Sequence, residues 1–213
     1  MHFSKQKLDN KTKIRQSAMI NQNLYPGMIS SEIEFFTTGN DLKILQNGKI
    51  MSFNDIDSKV FNILKTAMIK DTEAYVALLD WHPLNENKQV EQFTKCRFGG
   101  LDFNADICSS GKLQKGEYWE CPLRGQCTSE GKICKNIKFK NSIISFSEIR
   151  LIQCLVTDMT NDAISLELKT KLGTLHYQKR LLYEKLEIST KQELTVFAFK
   201  YNLIPSKILI GNQ

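Results

Sequence analysis

The sequence predicts an α+β fold in three parts: a small N-terminal unit of a β-hairpin and helices, a cysteine-rich module built of loops, and a C-terminal domain of four short helices. Three observations support this prediction. An Asn-Gly pair separates two apolar runs near residue 47, five of the six cysteines fall within residues 96–134, and apolar residues recur at helical spacing from residue 147 onward. The predicted boundaries are residues 1–28 for a flexible basic arm, and then residues 29–95, 96–140 and 141–213.

The arm over residues 1–28 carries a local excess of positive charge. Asp9 is the acidic residue that offsets its basic side chains, which are Lys5, Lys7, Lys11, Lys13 and Arg15. Pro26–Gly27 marks a break at its end. Two interpretations stay open: a solvated tail or short surface helix, and an arm that adds contacts to nucleic-acid phosphates.

The N-terminal unit begins with strands and continues with helices. The run Ile33–Thr38 is aromatic and β-branched, and Asn47–Gly48 between apolar runs is a strong hairpin signal. A helix capped by Asn54 or Asp55 is predicted next, and a second helix is predicted over Thr72–Trp81. The sequence has no glycine-rich phosphate loop, no HExxH pair and no serine elbow. No enzymatic activity is predicted, because nothing pairs a reactive cysteine with a catalytic base.

The cysteine-rich module predicts a metal site. Its cysteines are Cys96, Cys108, Cys121, Cys127 and Cys134, and they lie among glycine, proline and lysine with few large apolar residues. A segment of this composition buries too little apolar surface to order itself, and metal binding supplies the missing folding free energy. In a reducing compartment, clustered thiols indicate a metal more often than a disulfide.

Five candidates compete for four ligand positions. We predict Cys108, Cys121, Cys127 and Cys134 as the ligands, with Cys96 as the replacement for Cys108. The predicted cofactor is Zn²⁺, which binds four thiolates in a tetrahedron. An iron–sulfur cluster is the alternative, and it would make the protein a redox-sensing regulator. Free cysteines in a packed loop region and a redox disulfide also stay open, because the usual C-x2-4-C knuckles are absent.

Four short helices joined by tight turns are predicted for the C-terminal part. Their predicted caps are Ser145 with Glu148 as a capping box, Thr160, and Ser189 or Thr190, and the third helix should span Leu172–Leu186. The apolar positions of the second and third helices are Ile164, Leu166, Leu168, Leu172, Leu175, Leu182 and Leu186. Two short helices joined by a tight turn, the second with a polar and basic face, form a helix-turn-helix.

The same stretch resembles the DNA-binding domain of the LuxR/GerE type, and the match needs no gap from Met159 to Leu194. Thr160–Ile164 is similar to the S-N-K-E-I opening of that family. Tyr183–Ile188 is similar to its L-R-K-L-G-V ending, and Gln192–Leu194 to its A-E-L. The resemblance covers roughly the last quarter of the chain and implies nothing about the rest.

Single positions of the family pattern also match. Leu168 falls at the leucine of the scaffold helix, and Leu172 and Leu175 match the two apolar anchors of the recognition helix. Two positions depart from the pattern. Glu187 stands where the family usually has glycine, and Gly173 stands where a lysine is common.

The resemblance implies a sequence-specific DNA-binding transcriptional regulator whose third helix enters the major groove of double-stranded DNA. The residues on the groove-facing side would be Gly173, Thr174, His176, Tyr177 and Arg180. Of these, Thr174, His176 and Arg180 can donate to base edges or phosphates. The lysines placed to neutralise phosphates are Lys169, Lys171 and Lys179.

The resemblance further implies a homodimer formed through the fourth helix, Lys191 to Tyr201. Phe197 and Tyr201 are the candidate contacts across that interface. Phe197 could equally fill the core of its own domain, and both interpretations stay open.

Composition and charge narrow the classes of protein to which this chain could belong. The chain of 213 residues carries a formal net charge of +6 and has a sequence pI of about 8.9, a basic excess that suits a nucleic-acid partner without establishing one. No apolar run reaches the roughly 18 residues that a membrane helix needs, and the charged N-terminus lacks a signal-peptide core. We therefore predict a cytoplasmic protein, of bacterial or phage source. The alternative function is a protein–protein adaptor or inhibitor of phage or mobile-element origin.

Overall fold

The fold is α+β and contains seven α-helices and two small antiparallel sheets in the described part of the chain. The computed structural model describes residues 24–204, so the basic side chains from Lys5 to Arg15 lie outside the described residues. In chain order the elements are β1 (Glu34–Thr38), β2 (Asp41–Gln46), β3 (Lys49–Ser52), α1 (Ser58–Lys70), α2 (Thr72–Trp81), α3 (Glu86–Phe98), β4 (Lys138–Phe139), β5 (Ser142–Ile143), α4 (Phe146–Leu155), α5 (Asn161–Glu167), α6 (Leu172–Leu186) and α7 (Lys191–Lys200).

The predicted hairpin is present as part of a three-stranded meander in the order β1-β2-β3. Asn47 and Gly48 both have positive φ, 50° and 73°, as a two-residue hairpin turn requires. Gln46 pairs with Lys49, so the register places the turn at the Asn-Gly pair. The Asn-Gly signal therefore predicted the connection correctly.

Three helices follow the sheet, one more than predicted. A short 3-10 turn occupies Phe53–Asp55, and α1 begins only at Ser58, where the side chain of Asp57 accepts from the Lys59 N–H. The predicted cap at Asn54 or Asp55 is therefore wrong by two or three residues. Helix α2 has the predicted bounds. Helix α3 was not predicted, and it runs through residue 96, the predicted start of the cysteine module.

The sheet and helices α1 to α3 enclose a first hydrophobic core. Its fully buried side chains include Phe35, Leu64, Leu78 and Val90. Two residues from the following irregular segment, Ile107 and Ile133, are buried in the same core, and Ile107 also pairs with Ile33 through backbone hydrogen bonds. The N-terminal unit is thus closed by residues from the cysteine-rich part.

The C-terminal helices have the predicted starts and enclose a second core. Ser145 and Glu148 form the predicted capping box of α4, Thr160 caps α5, and Thr190 caps α7. Ile152, Leu175 and Leu194 are among the side chains fully buried in this core. Two apolar positions were predicted wrongly. Leu166 is 78% exposed, because the short helix α5 buries only Ile164, and Leu172 at the start of α6 is 39% exposed.

Residues 99–137 connect the two cores without forming a helix or a strand. Loops of this length without regular structure are uncommon inside compact domains and are usually functional or disordered. Here Ile107 and Ile133 lie in the first core, and Tyr118 and Ile137 lie in the second. The segment is therefore fixed to both cores although its own apolar content is low.

None of the helices within residues 24–204 has both the length and the apolar character needed to cross a bilayer.

Candidate nucleic-acid interface and cysteine cluster

Helices α5 and α6 pack against each other across a tight turn. Lys169 has φ 50° in this turn, a left-handed conformation that costs a residue other than glycine some strain. The Thr170 N–H donates to the Ser165 carbonyl at 2.9 Å and the Lys169 N–H to the Leu166 carbonyl at 3.1 Å. These bonds satisfy the last carbonyls of α5 and fix the direction in which α6 leaves the turn.

Helix α6 has one buried side and one exposed side. Leu175, Leu182 and Leu186 are at most 2% exposed and hold the helix against the second core. The predicted groove-facing residues Gly173, Thr174, His176, Tyr177 and Arg180 are exposed, as are Lys169 and Lys171, and Lys179 is half-buried. No heavy atom lies within 4 Å of a Cβ built on Gly173. The side of α6 predicted to meet DNA is therefore uncovered by the described residues.

The charges on this side are partly paired. Arg180 Nε lies 3.8 Å from Glu184 Oε1, with both side chains more than 60% exposed, and the Arg180 guanidinium lies 5.5 Å from the centre of the Tyr177 ring. Lys169, Lys171 and Lys179 form no ion pair among the described residues. Three unpaired lysines around the start and middle of an exposed helix leave a local positive surface, which a phosphate can approach.

A shallow groove of about 550 Å³ runs along the second half of this surface. His176, Lys179, Arg180 and Tyr183 from α6 line one side, and Asn161 at the start of α5 lies on the other. The groove contains donors and aromatic edges together. It therefore extends the polar surface from α6 toward the N-terminus of α5.

The turn after α6 is left-handed at Glu187. Glu187 has φ 54° and ψ 44°, the conformation for which glycine is preferred, and the Ile188 N–H donates to the Tyr183 carbonyl at 3.1 Å. Glu187 also forms an ion pair with Lys140. Glu187 therefore ends α6 in the conformation that a glycine at this position would favour.

Phe197 lies in the core of its own domain and is 7% exposed. Its ring contacts Phe139 edge-on at 5.4 Å and Tyr201 at 4.6 Å between ring centres. The prediction of Phe197 as a dimer contact is wrong, because a side chain so covered cannot reach a partner. Val196 and Phe199 are instead the exposed apolar residues of α7, at 69% and 66%.

The cysteine cluster contains Cys96 and not Cys108. Burial is the main reason that the pKa of the Cys96 thiol is raised to about 11. The negative charge that Cys134, Cys121 and Cys127 carry when ionised raises this pKa further. Gln92 Nε2 also donates to Cys96 Sγ at 3.1 Å. Cys96, predicted only as the replacement for Cys108, is carried to the loops by α3, a helix that was not predicted.

Cys108 lies apart from these four. Its Sγ is 3.0 Å from Ser110 Oγ, and this hydrogen bond is the main reason that the pKa of the Cys108 thiol is lowered. Cys154 is buried in the second core, as predicted for a helix residue among apolar neighbours. Within residues 24–204, no three His, Cys, Asp or Glu side chains are positioned to hold a metal ion together. The four clustered thiols are therefore neighbours without being a preformed coordination shell.

A group of carboxyls, two buried and two half-buried, was not predicted, and we call it the acidic cluster. It consists of Glu34, Asp102, Asp106 and Glu117. Glu34 is fully buried, its Oε1 accepts from the Asp102 N–H at 2.9 Å, and its Oε2 has no hydrogen-bond partner in the described part of the chain. Burial, followed by the charge of Asp106, raises the pKa of Glu34 to about 10.

The pKa values of Glu117 and Asp106 are raised as well. Burial and a hydrogen bond with Asp102 raise the pKa of Glu117 to about 11, and burial raises the pKa of Asp106. Backbone N–H groups of Phe35 and Gly100 donate to Asp106 and Glu117 at 2.8 and 3.0 Å. The cluster therefore holds protons at neutral pH. No local pattern could have indicated it, since its residues come from a strand and a loop about 70 positions apart.

Comparison of the chain with protein-family models, with curated proteins and with solved structures gives no match.

Proposed function

We propose that the protein is a sequence-specific DNA-binding regulator that reads double-stranded DNA with helix α6. The proposal is supported by one observation above all: three leucines on one side of α6 are buried against the second core, while Thr174, His176 and Arg180 are exposed. A recognition helix needs one face to dock on its scaffold and one face of donors for the groove. Helix α6 combines both, behind a tight turn from α5.

Local placement of charge would matter more than total charge for this binding. Residues 141–204 contain eight Lys and Arg against seven Asp and Glu, so their net charge alone would attract DNA only weakly. Lys169 and Lys171, however, lie at the start of α6, where the helix dipole also favours an anion. We assign them to phosphates, and Thr174 and Arg180 to base edges.

Selection of binding sites from random duplexes, followed by titration at several salt concentrations, tests the proposal. Two double variants separate the roles. Lys169→Ala with Lys171→Ala should weaken binding to all duplexes and reduce the slope of log K against log salt by about two. Thr174→Ala with Arg180→Ala should reduce the preference for the selected site over random DNA, by on the order of 1–3 kcal/mol for a bidentate contact.

Lys59→Ala with Lys70→Ala is the matched control, because both lysines are exposed and lie on α1 in the N-terminal unit. This variant should bind like the wild type. Absence of a retarded complex with any duplex at low salt, or equal effects of all three variants, would contradict the proposal.

We extend the proposal to a homodimer that pairs through α7, with Val196 and Phe199 as its contacts. They are separated by three positions, so they lie on one side of the helix. Two α6 helices related by a twofold axis would read half-sites about one helical turn apart. The selected DNA should then be palindromic. A selected site without symmetry would exclude this dimer and leave the assignment of α6 in place.

A further inference from the structure

We infer that Cys96, Cys121, Cys127 and Cys134 together bind one thiophilic metal centre, a Zn²⁺ ion or an iron–sulfur cluster, and that Cys108 is not a ligand. The site would join the end of helix α3 to the irregular segment that follows it. It does not depend on DNA binding, since none of its residues belongs to α5 or α6.

The side chain of Arg97 joins the end of α3, which carries Cys96, to the backbone just before Cys134. Arg97 Nε, one residue after Cys96, donates to the carbonyl of Ile133, one residue before Cys134. The Arg97 carbonyl accepts from the Glu117 N–H at 2.9 Å on the other side of the helix end. The last turn of α3 is therefore held between the two arms of the cysteine-bearing segment.

Two turns and a bridge connect the backbone at the other cysteines. The Arg124 N–H donates to the Cys121 carbonyl at 3.0 Å, and the Glu130 N–H donates to the Cys127 carbonyl at 3.1 Å. Glu130 in turn forms a β-bridge with Cys134. Arg124 Nη1 also lies 3.8 Å from Glu130 Oε1, so the turn that begins at Cys121 contacts the turn that begins at Cys127.

The chemistry of the surroundings fits a metal bound by thiolates. Thiolate sulfur selects zinc and iron–sulfur centres over magnesium or calcium, which prefer oxygen. Trp119 Nε1 and Arg124 Nε are buried donors without an acceptor among residues 24–204, and both belong to the same segment. Sulfur atoms that carry the charge of a metal thiolate accept such hydrogen bonds, so a loaded site offers these donors the partners they lack.

The separation of the thiols agrees with a site that forms on binding. Four thiolates around Zn²⁺ at 2.3 Å would lie closer together than the present side chains, which do not yet form a coordination shell. Cysteine has one side-chain torsion, so its sulfur moves without a change in the backbone. Metal binding and local ordering are coupled in such sites.

The first experiment measures the metal content of the full-length protein, purified without oxygen. About one zinc per chain, or iron with sulfide and visible absorbance, supports the inference and distinguishes its two forms. No metal as purified and none after reconstitution, either with Zn²⁺ or with iron and sulfide, would overturn it.

The second experiment compares six single Cys→Ser variants. Cys96→Ser, Cys121→Ser, Cys127→Ser and Cys134→Ser should each reduce the bound metal at least tenfold. Cys108→Ser and Cys154→Ser are matched controls and should retain it. Loss of the metal from Cys108→Ser, with retention by Cys96→Ser, would overturn the assignment.

Alkylation of the wild-type chain gives a readout that does not depend on the folding of any variant. In the metal-loaded protein, Cys108 should be modified first, because its thiol has a lowered pKa and lies outside the cluster. A chelator should then expose four further cysteines. Modification of Cys96 as fast as Cys108 before chelation would overturn the assignment, whether or not the protein binds DNA.

Discussion

Replacement of Glu34 by glutamine should change how the stability of the protein depends on pH. Glutamine keeps the shape of the side chain and an oxygen to accept from the Asp102 N–H, but it cannot titrate. Glu34 is fully buried and its pKa is raised from 4.5 to about 10, first by burial. Between pH 4.5 and about pH 10, Glu34 holds a proton in the folded wild type but has released it in the unfolded chain.

The sign and size follow from proton linkage. Because the pKa is raised in the folded state, the contribution of Glu34 to stability is fully present below pH 4.5 and is lost as the pH rises toward 10. Each pH unit in this range costs at most about 1.4 kcal/mol. The free energy of unfolding of Glu34→Gln relative to wild type should therefore increase by up to about 4 kcal/mol between pH 5 and pH 8.

Urea unfolding at several pH values, followed by circular dichroism, measures this difference. The buffers should contain no added Ca²⁺ or Mg²⁺, since a divalent cation attracted to the acidic cluster would favour the ionised carboxyls. Asp41→Asn is the matched control, because Asp41 is an exposed residue of the same sheet. The reasoning fails if the stability curves of wild type and Glu34→Gln run parallel from pH 5 to pH 8.

Two further predictions concern packing and an ion pair. Leu175→Ala should lower the free energy of unfolding by roughly 2–5 kcal/mol in denaturant titration, because Leu175 is fully buried. Leu166→Ala, at a position 78% exposed, should change it by less than about 0.5 kcal/mol, and equal losses would contradict the packing of α6. Burial alone would raise the pKa of Asp71, but hydrogen bonds from Arg97 and Lys135 lower it. The contribution of Asp71 to stability is therefore present above pH 3.8 and is lost as the pH falls through the pKa that Asp71 has in the folded state. Arg97→Gln should therefore cost about 1.5–3 kcal/mol at pH 7 and progressively less below pH 4, and a cost that does not vary with pH would argue against the pair.

Local signals predicted the elements whose ends are determined by neighbouring residues. The caps at Ser145 and Thr190 are satisfied by groups within three positions in the chain, and the Asn47–Gly48 turn depends on the positive φ that these two residues tolerate. Such contacts form wherever the residues occur together, so the sequence is sufficient to predict them. The bounds of α6 were predicted for the same reason, since its leucine spacing and the turn before it are both local.

Helix α3 was missed because part of its buried face is polar. Gln89 and Thr94 are at most 4% exposed, and their side chains bond to the carbonyls of His82 and Val90, at 2.8 Å in both cases. A polar residue with a partner can occupy a core position at little cost. The apolar period that reveals an amphipathic helix is then broken. Without α3, nothing in the spacing of the cysteines could favour Cys96.

The positions of residues 99–137 could not be predicted from the sequence, because they depend on contacts with residues far away in the chain. Glu117 binds the end of α3, and Asn202, after α7, donates to Asp102 in the acidic cluster. The segment thus contacts the thiols, the buried carboxyls and both cores without regular structure of its own. A proton lost from the acidic cluster, or a metal lost from the cysteines if they bind one as proposed, would act on the same backbone. Changes at either site should therefore disturb the packing of this segment against both cores.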